Sequence, residues 1–232
     1  MLHFRLAVSV VALLIASLAA PAPVGAQDKE KICRDIENRP MTVGHWATYT
    51  WTGGQSDGST MRFAVVGKEP QQGTTYYWYE LILDNPKRGA AARVVMQMLV
   101  PGLGYRAGGV RAIITKSGNQ PAMRMPEQMV RMMASGMGAN VAAEIAQGCK
   151  EMDVVGWEEV TVPAGHFRAL HLRHARDGIE AWVQPTLNFA MVKAAMKDGG
   201  TMVLTAQGTG AKSSITETPR EMTGFPGGQP PR

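Results

Sequence analysis

A chain of 232 residues with 45% hydrophobic and 19% charged content has the composition of a globular protein, neither disordered nor fibrous, with length for one good hydrophobic core. Its formal charge of +5 is dispersed, with no basic run of the kind that tracks a phosphate backbone, so nucleic acid is not an expected partner. The modest positive balance leaves peripheral contact with an anionic membrane surface open.

The first segment reads as an export signal. Arg5, with His3, gives a cationic start, Leu6 to Ala20 an apolar run, and Val24-Gly25-Ala26 a small-residue cleavage site, so residues 1–26 are expected to be removed. No cysteine stands at the cleavage point, which disfavours a lipid anchor there. The two cysteines, Cys33 and Cys149, form an even pair in an oxidising compartment and are read as one disulfide pinning the N-terminal segment to the middle of the domain. The domain is expected to run over residues 27–215.

Strand patterns follow. His45 to Thr52 is aromatic and β-branched and is broken by Gly53-Gly54 and Ser56-Asp57-Gly58. Met61 to Val66, Thr74 to Leu83 and Ala92 to Val100 repeat the pattern between turn residues, which predicts an antiparallel meander. In the fourth of these, Val94, Met96, Met98 and Val100 share one wholly apolar face. In the third, Tyr77, Tyr79, Leu81 and Leu83 lie on one face and Tyr76, Trp78 and Ile82 on the other, the mark of a central strand covered on both sides.

The period then changes. Pro126 and Glu127 suit a helix start, and Met125, Met129, Met132 and Met133 recur at helical spacing until Gly136. A second short helix is predicted over Val141 to Gln147, with Asn140 as N-cap and Gly148 as the stop before Cys149. Strands resume with Glu159 to Val162, a Pro163-Ala164-Gly165 turn, Phe167 to His174, then Ile179 to Val183 and Met202 to Gln207. Leu187 to Met196 has the Ala, Met and Lys content of a helix, while Pro185 and Gly199-Gly200 allow either state. From Thr216 to Arg232 the chain has almost nothing to bury and reads as a mobile tail.

Methionine is the compositional oddity, with 16 in the chain and a cluster at Met123, Met125, Met129, Met132, Met133 and Met137. Flexible thioethers on a helix can plug or line an apolar cavity, and they are also soft ligands for Cu(I). Met129, Met133 and Met137 are strung along one face without converging on a point, so packing or cavity lining is the simpler reading. His171 and His174 are three apart on a strand and face opposite sides, which keeps His166, His171 and His174 from chelating one ion. Gly208-Thr209-Gly210-Ala211-Lys212-Ser213 lacks the spacing of a phosphate loop, and no hydrolase elbow or zinc-protease helix occurs. Nothing in the chain calls for a cofactor.

The run Val160-Thr161-Val162-Pro163-Ala164-Gly165-His166-Phe167, followed by Trp182-Val183-Gln184-Pro185, resembles a pattern of bacterial exported proteins in which a VPAG-x-F hairpin precedes a W-V-x-P strand. Those proteins are similar to the open β half-barrels of the periplasmic lipoprotein carriers. The resemblance covers residues 155–210 and implies a fold without carrying over catalytic residues. The expectation is therefore a mainly β domain, a strongly curved antiparallel sheet or half-barrel with short helices on its concave face. It is expected to be exported to the periplasm and to bind an apolar molecule such as a lipid or acyl chain, with Met129, Met132, Met133 and Met137 as mobile cavity wall. An envelope structural or interaction protein with a protein partner, and a Cu(I) binder, are the alternatives.

Overall fold

In the computed structural model, residues 24–102, 109–136 and 149–223 are described, and twelve strands among them form one sheet. Helix α1 (Val24–Glu37) leads into β1 (Trp46–Thr52), β2 (Thr60–Gln71), β3 (Thr74–Asp84), β4 (Val94–Val100), β5 (Ala112–Ser117) and the short β6 (Met123–Arg124). Helix α2 (Glu127–Gly136) is followed by β7 (Asp153–Val162), β8 (Gly165–His174), β9 (Ile179–Val183), β10 (Met191–Ala195), β11 (Thr201–Gly208) and β12 (Arg220–Glu221). The predicted helix over Val141 to Gln147 and the residue Met137 lie outside the described residues.

Two antiparallel meanders make the sheet, β1 to β6 and β7 to β11, and they join where β1 pairs with β11 from Trp46 opposite Gly208 to Thr52 opposite Thr201. The order β12-β6-β5-β4-β3-β2-β1-β11-β10-β9-β8-β7 leaves β12 and β7 as the two ends, so the curved sheet stays open. All neighbours are antiparallel except β12 and β6, which makes the sheet mixed. Bulges bend it at Thr48/Tyr49, Val65/Gly67 and Val154/Gly156. The β7–β8 hairpin closes at Val162 opposite Gly165, whose φ of 138° falls where a side chain would be strained.

Both helices lie against the inner face. Ile32, Cys33 and Ile36 of α1 pack on Leu170, Leu172, Ala181 and Val183, and Val130 of α2 packs with Met98, Val100 and Ile113. Cys33 and Cys149 are bonded, with Cα atoms 5.8 Å apart and a sequence separation of 116. On the outer face, β3 is covered by the chain after β11. Ile215 joins Ile82, Val95 and Ile114 in a core cluster, and the wholly buried Glu80 accepts from the Ser214 amide (2.9 Å), the Ser214 hydroxyl (2.8 Å) and Gln97 (2.7 Å). Arg62 stands 3.9 Å from the same carboxylate.

Two expectations need correction. Residues 187–196 hold a strand, β10, because Val192 and Ala194 are buried between β9 and β11, and that pairing overrides the helical bias of Ala, Met and Lys. The tail is tied down well past Thr216. Glu217 pairs with Lys116 at 2.5 Å, Arg220 N–H donates to Ala122 and Met222 N–H to Arg124. The Lys116 hydrogen bond holds the Glu217 carboxyl down at about 2.

Two stability predictions arise from these contacts. The disulfide restricts a loop of 116 residues, so Cys33→Ser with Cys149→Ser should lower unfolding free energy by up to about 4–5 kcal/mol in the chain-entropy model. Urea titrations of oxidised and variant protein measure the difference, and coincident curves would contradict it. Glu80→Ala strands Ser214 and Gln97 without their acceptor and should cost roughly 2–4 kcal/mol. Limited proteolysis should then cut the released segment near Lys212 before the sheet unfolds.

Candidate functional site

Alternation along the strands aims large apolar side chains at the inner face. Tyr49 and Trp51 come from β1, Met61 and Phe63 from β2, Tyr79 from β3, and Met98 and Val100 from β4. The other meander contributes Leu172 of β8, Ile179, Ala181 and Val183 of β9, Met191 and Ala194 of β10, and Met202 of β11. They enclose a cavity of about 360 Å³ that is roofed by Ile36, Met152 and the loop carrying Asn188 and Phe189. That volume lies toward the small end of ligand pockets, roughly 300–1,000 Å³.

Aromatic rings set the shape of one end. Phe63 stacks on Tyr79 and on Phe189, each at 5.9 Å between centroids, and meets Tyr49 edge-on at 5.9 Å. The Tyr49 hydroxyl lies 3.1 Å from the carbonyls of both Phe189 and Met191 and donates into this pair, which holds the loop against the strands. Burial pushes the Tyr49 phenol well above its ordinary pKa, so it remains a neutral donor.

The wall is rich in methionine, and its described methionines come from the strands and the loops beside them. Met61, Met98, Met152, Met191, Met196 and Met202 line the cavity. Met129 is half-buried on α2 and Met132 is 51% exposed there, and neither lines it. Met133 belongs to α2 as well, and Met123 sits in β6. The strand methionines were hidden because period-two alternation places one thioether per strand, whereas a helical cluster stands out in the sequence.

Among the described lining residues, Arg39 alone carries a charge. It is half-buried and its Nη2 donates to the Pro185 carbonyl at the start of the roofing loop. Burial lowers its pKa while Asp35 opposes the shift, yet a guanidinium stays charged at any working pH.

The polar cluster nearest in type to a catalytic site lies on the outer face. His171 is buried between two acids, Nδ1 at 2.8 Å from Glu158 and Nε2 at 3.2 Å from Glu180, and stacks on Trp182 at 4.2 Å. Trp182 Nε1 donates to Glu158, Arg173 Nε donates to Glu180, and the Lys193 ammonium sits 4.4 Å above the Trp182 ring. Both ring nitrogens of His171, the indole N–H of Trp182 and both carboxylates are engaged within the sheet surface, so the cluster acts as an outer fastening of β7, β8, β9 and β10. The other histidines do not join it: His166 pairs with Thr161 and His174 stands beside Asp177. No group of metal-ligating His, Cys, Asp and Glu residues forms among the described residues. A second, more open hollow is lined by Arg111, Arg124, Glu127 and Glu221, charges of both signs.

No family model matches the chain, and no curated protein does. Among solved structures it is similar to MucB, at 15% identity and a TM-score of 0.43 over 81% of this chain. The chain spans 61% of that protein's length. It is also similar to a protein of YmcC-like fold from Bacteroides fragilis NCTC 9343, at 11% identity and a TM-score of 0.37 over 73% of this chain and 98% of the other. A LolA superfamily protein from Nitrosomonas europaea shares 12% identity at a TM-score of 0.21, over 78% of this chain and 91% of that one. Likenesses this slight carry no argument about function. Among the described residues, no helix is long and apolar enough to cross a membrane.

The outer cluster predicts a pH dependence. Hydrogen bonds from Trp182 and then His171 lower the Glu158 pKa, and Arg173 lowers that of Glu180. Carboxyls depressed in the folded state stabilise it above their ordinary range and lose that contribution as pH falls through the folded values, so stability should decline as pH falls below about 5. Glu158 is exposed and Glu180 half-buried, so the contribution is modest and salt-sensitive. Urea midpoints of wild type and Glu158→Gln should converge at the acid end of this range; a constant offset would rule the linkage out.

Proposed function

We propose that this protein is an exported, non-catalytic binder or carrier of an apolar molecule, with the acyl chain of a lipid as the natural occupant. The observation that carries the reading is the inner cavity, walled by methionine and aromatic side chains and lined by one charge. Such a wall rewards burial of a hydrocarbon at about 25 cal/mol per Å² and offers no reacting groups. Flexible thioethers on the strands adapt to chains of different length and unsaturation, which suits a carrier more than an enzyme that must hold one atom in register. An export signal over residues 1–26 and a periplasmic location belong to the same reading, as does the half-barrel resemblance of the sequence. A role for Met129, Met132, Met133 and Met137 as a movable wall is kept for the state with ligand bound.

The test is uptake. Delipidated protein should bind hexadecanol saturably with one site per chain, measured by quenching of Trp51 with a brominated analogue. Ala194→Phe, which fills the cavity from β10, should weaken binding at least about tenfold while the far-ultraviolet spectrum is kept. Absence of saturable binding by wild type, or unchanged affinity in the filled variant, would remove the cavity as the site.

A further inference from the structure

Within the apolar cavity the Arg39 guanidinium is out of place. A charge half-withdrawn from water is normally paired, because desolvation is offset only by an opposite charge or by saturated hydrogen bonds. Among the described side chains no carboxylate lies in ion-pair contact with Arg39, and its one hydrogen bond runs from Nη2 to the Pro185 carbonyl. Asp35, the acid that acts on it through space, is held by Lys31 at 2.8 Å. Nε and Nη1 are therefore donors with no acceptor among the described residues, on a planar fork suited to two oxygens of an anion.

Position gives the fork its meaning. Arg39 follows α1 and touches the loop that roofs the cavity, so it borders both the methionine and aromatic wall and the solvent-facing rim. A ligand whose hydrocarbon lay along Met61, Met98 and Met202 would bring its polar end to this rim. A neutral or cationic end would leave the guanidinium as it is or repel it, whereas an anionic end would complete it.

We propose that the ligand is a single-chain amphiphile with an anionic head group, its acyl chain in the cavity and its head oxygens on Arg39. This rests on the reading of the cavity as an acyl-chain site and specifies the chemistry at its mouth. A free fatty acid and an anionic lysolipid share that chemistry.

Palmitate, hexadecanol and palmitoyl lysophosphatidylglycerol present the same length of chain with a carboxylate, a hydroxyl and a phosphodiester. Calorimetric titration of each into delipidated wild type, Arg39→Gln and Arg39→Lys separates tail from head. The expected result is palmitate binding to wild type roughly ten- to a hundredfold tighter than hexadecanol, the range of a charge-assisted hydrogen bond. Arg39→Gln should bring palmitate down to the level of the alcohol without changing alcohol affinity, and Arg39→Lys should keep part of the preference. Retained hexadecanol binding shows that the variant is folded. Preference for palmitate alone over the alcohol assigns the free acid, and preference for both anions assigns an anionic head in general. Equal affinity of palmitate and hexadecanol for wild type, or equal weakening of both by Arg39→Gln, overturns the head-group inference while leaving the cavity reading intact. Binding of none of the three overturns both.

Discussion

Pairing of β1 with β11 is the contact on which the rest of the architecture depends. Each meander alone is a sheet with one apolar face and little to cover it, and an isolated flat sheet of that kind is unstable in water. The seam from Trp46 to Thr52 merges them, so that the inner side chains of the first meander face those of the second across a common hollow. Tyr49, Trp51 and Met202 sit on the seam strands themselves and form the floor of the cavity. A slip of one residue there would turn these side chains outward and replace them with Thr48, Thr50 and Val203.

An open sheet has a second difficulty, its outer face. This protein covers it differently at the two ends. Over the first meander the chain after β11 crosses back, buries Ile215 and satisfies Glu80, so a carboxylate sits at zero exposure without a full ion pair. Over the second, among the described residues, side chains cover the face themselves: His171 stacks on Trp182, Lys193 caps it, and acids hold the edges. Elsewhere Arg62 lies over Trp46, Arg124 over Trp78 and Arg168 over Trp157, so large rings are screened from water by cations whose charge keeps the surface soluble.

The sequence made the strands with clean alternation legible, as in β3 and β4, and the hairpin of β7 and β8 with its Pro163-Ala164 turn. It concealed what depends on distant partners. β10 is composed of residues with helical preference and is a strand only because β9 and β11 flank it; β12 has two charged residues and exists only through β6. The cysteine pair was readable because compartment and count suffice for it. The conspicuous methionines cluster on α2, while the described ones at the cavity wall are dispersed over strands and adjoining loops far apart in sequence, where no local pattern marks them. Arg39 was invisible for the same reason, being one arginine among many until the fold set it in the lining of the cavity, against the Pro185 carbonyl.

The bond between Cys33 and Cys149 also divides the chain in time. Everything from β1 to α2 lies inside the loop it closes, and every strand from β7 onward lies outside. The cross-link can therefore form as soon as residue 149 is available, while β1 still lacks its partner. β11, which comes more than fifty residues later, must then add to the edge of an already tethered meander. Assembly of this kind is dominated by contacts remote in sequence and is slow. The inner hollow is its last product: until β11 arrives the first meander's aromatic face stands open, so the cavity is completed only when the whole chain is present.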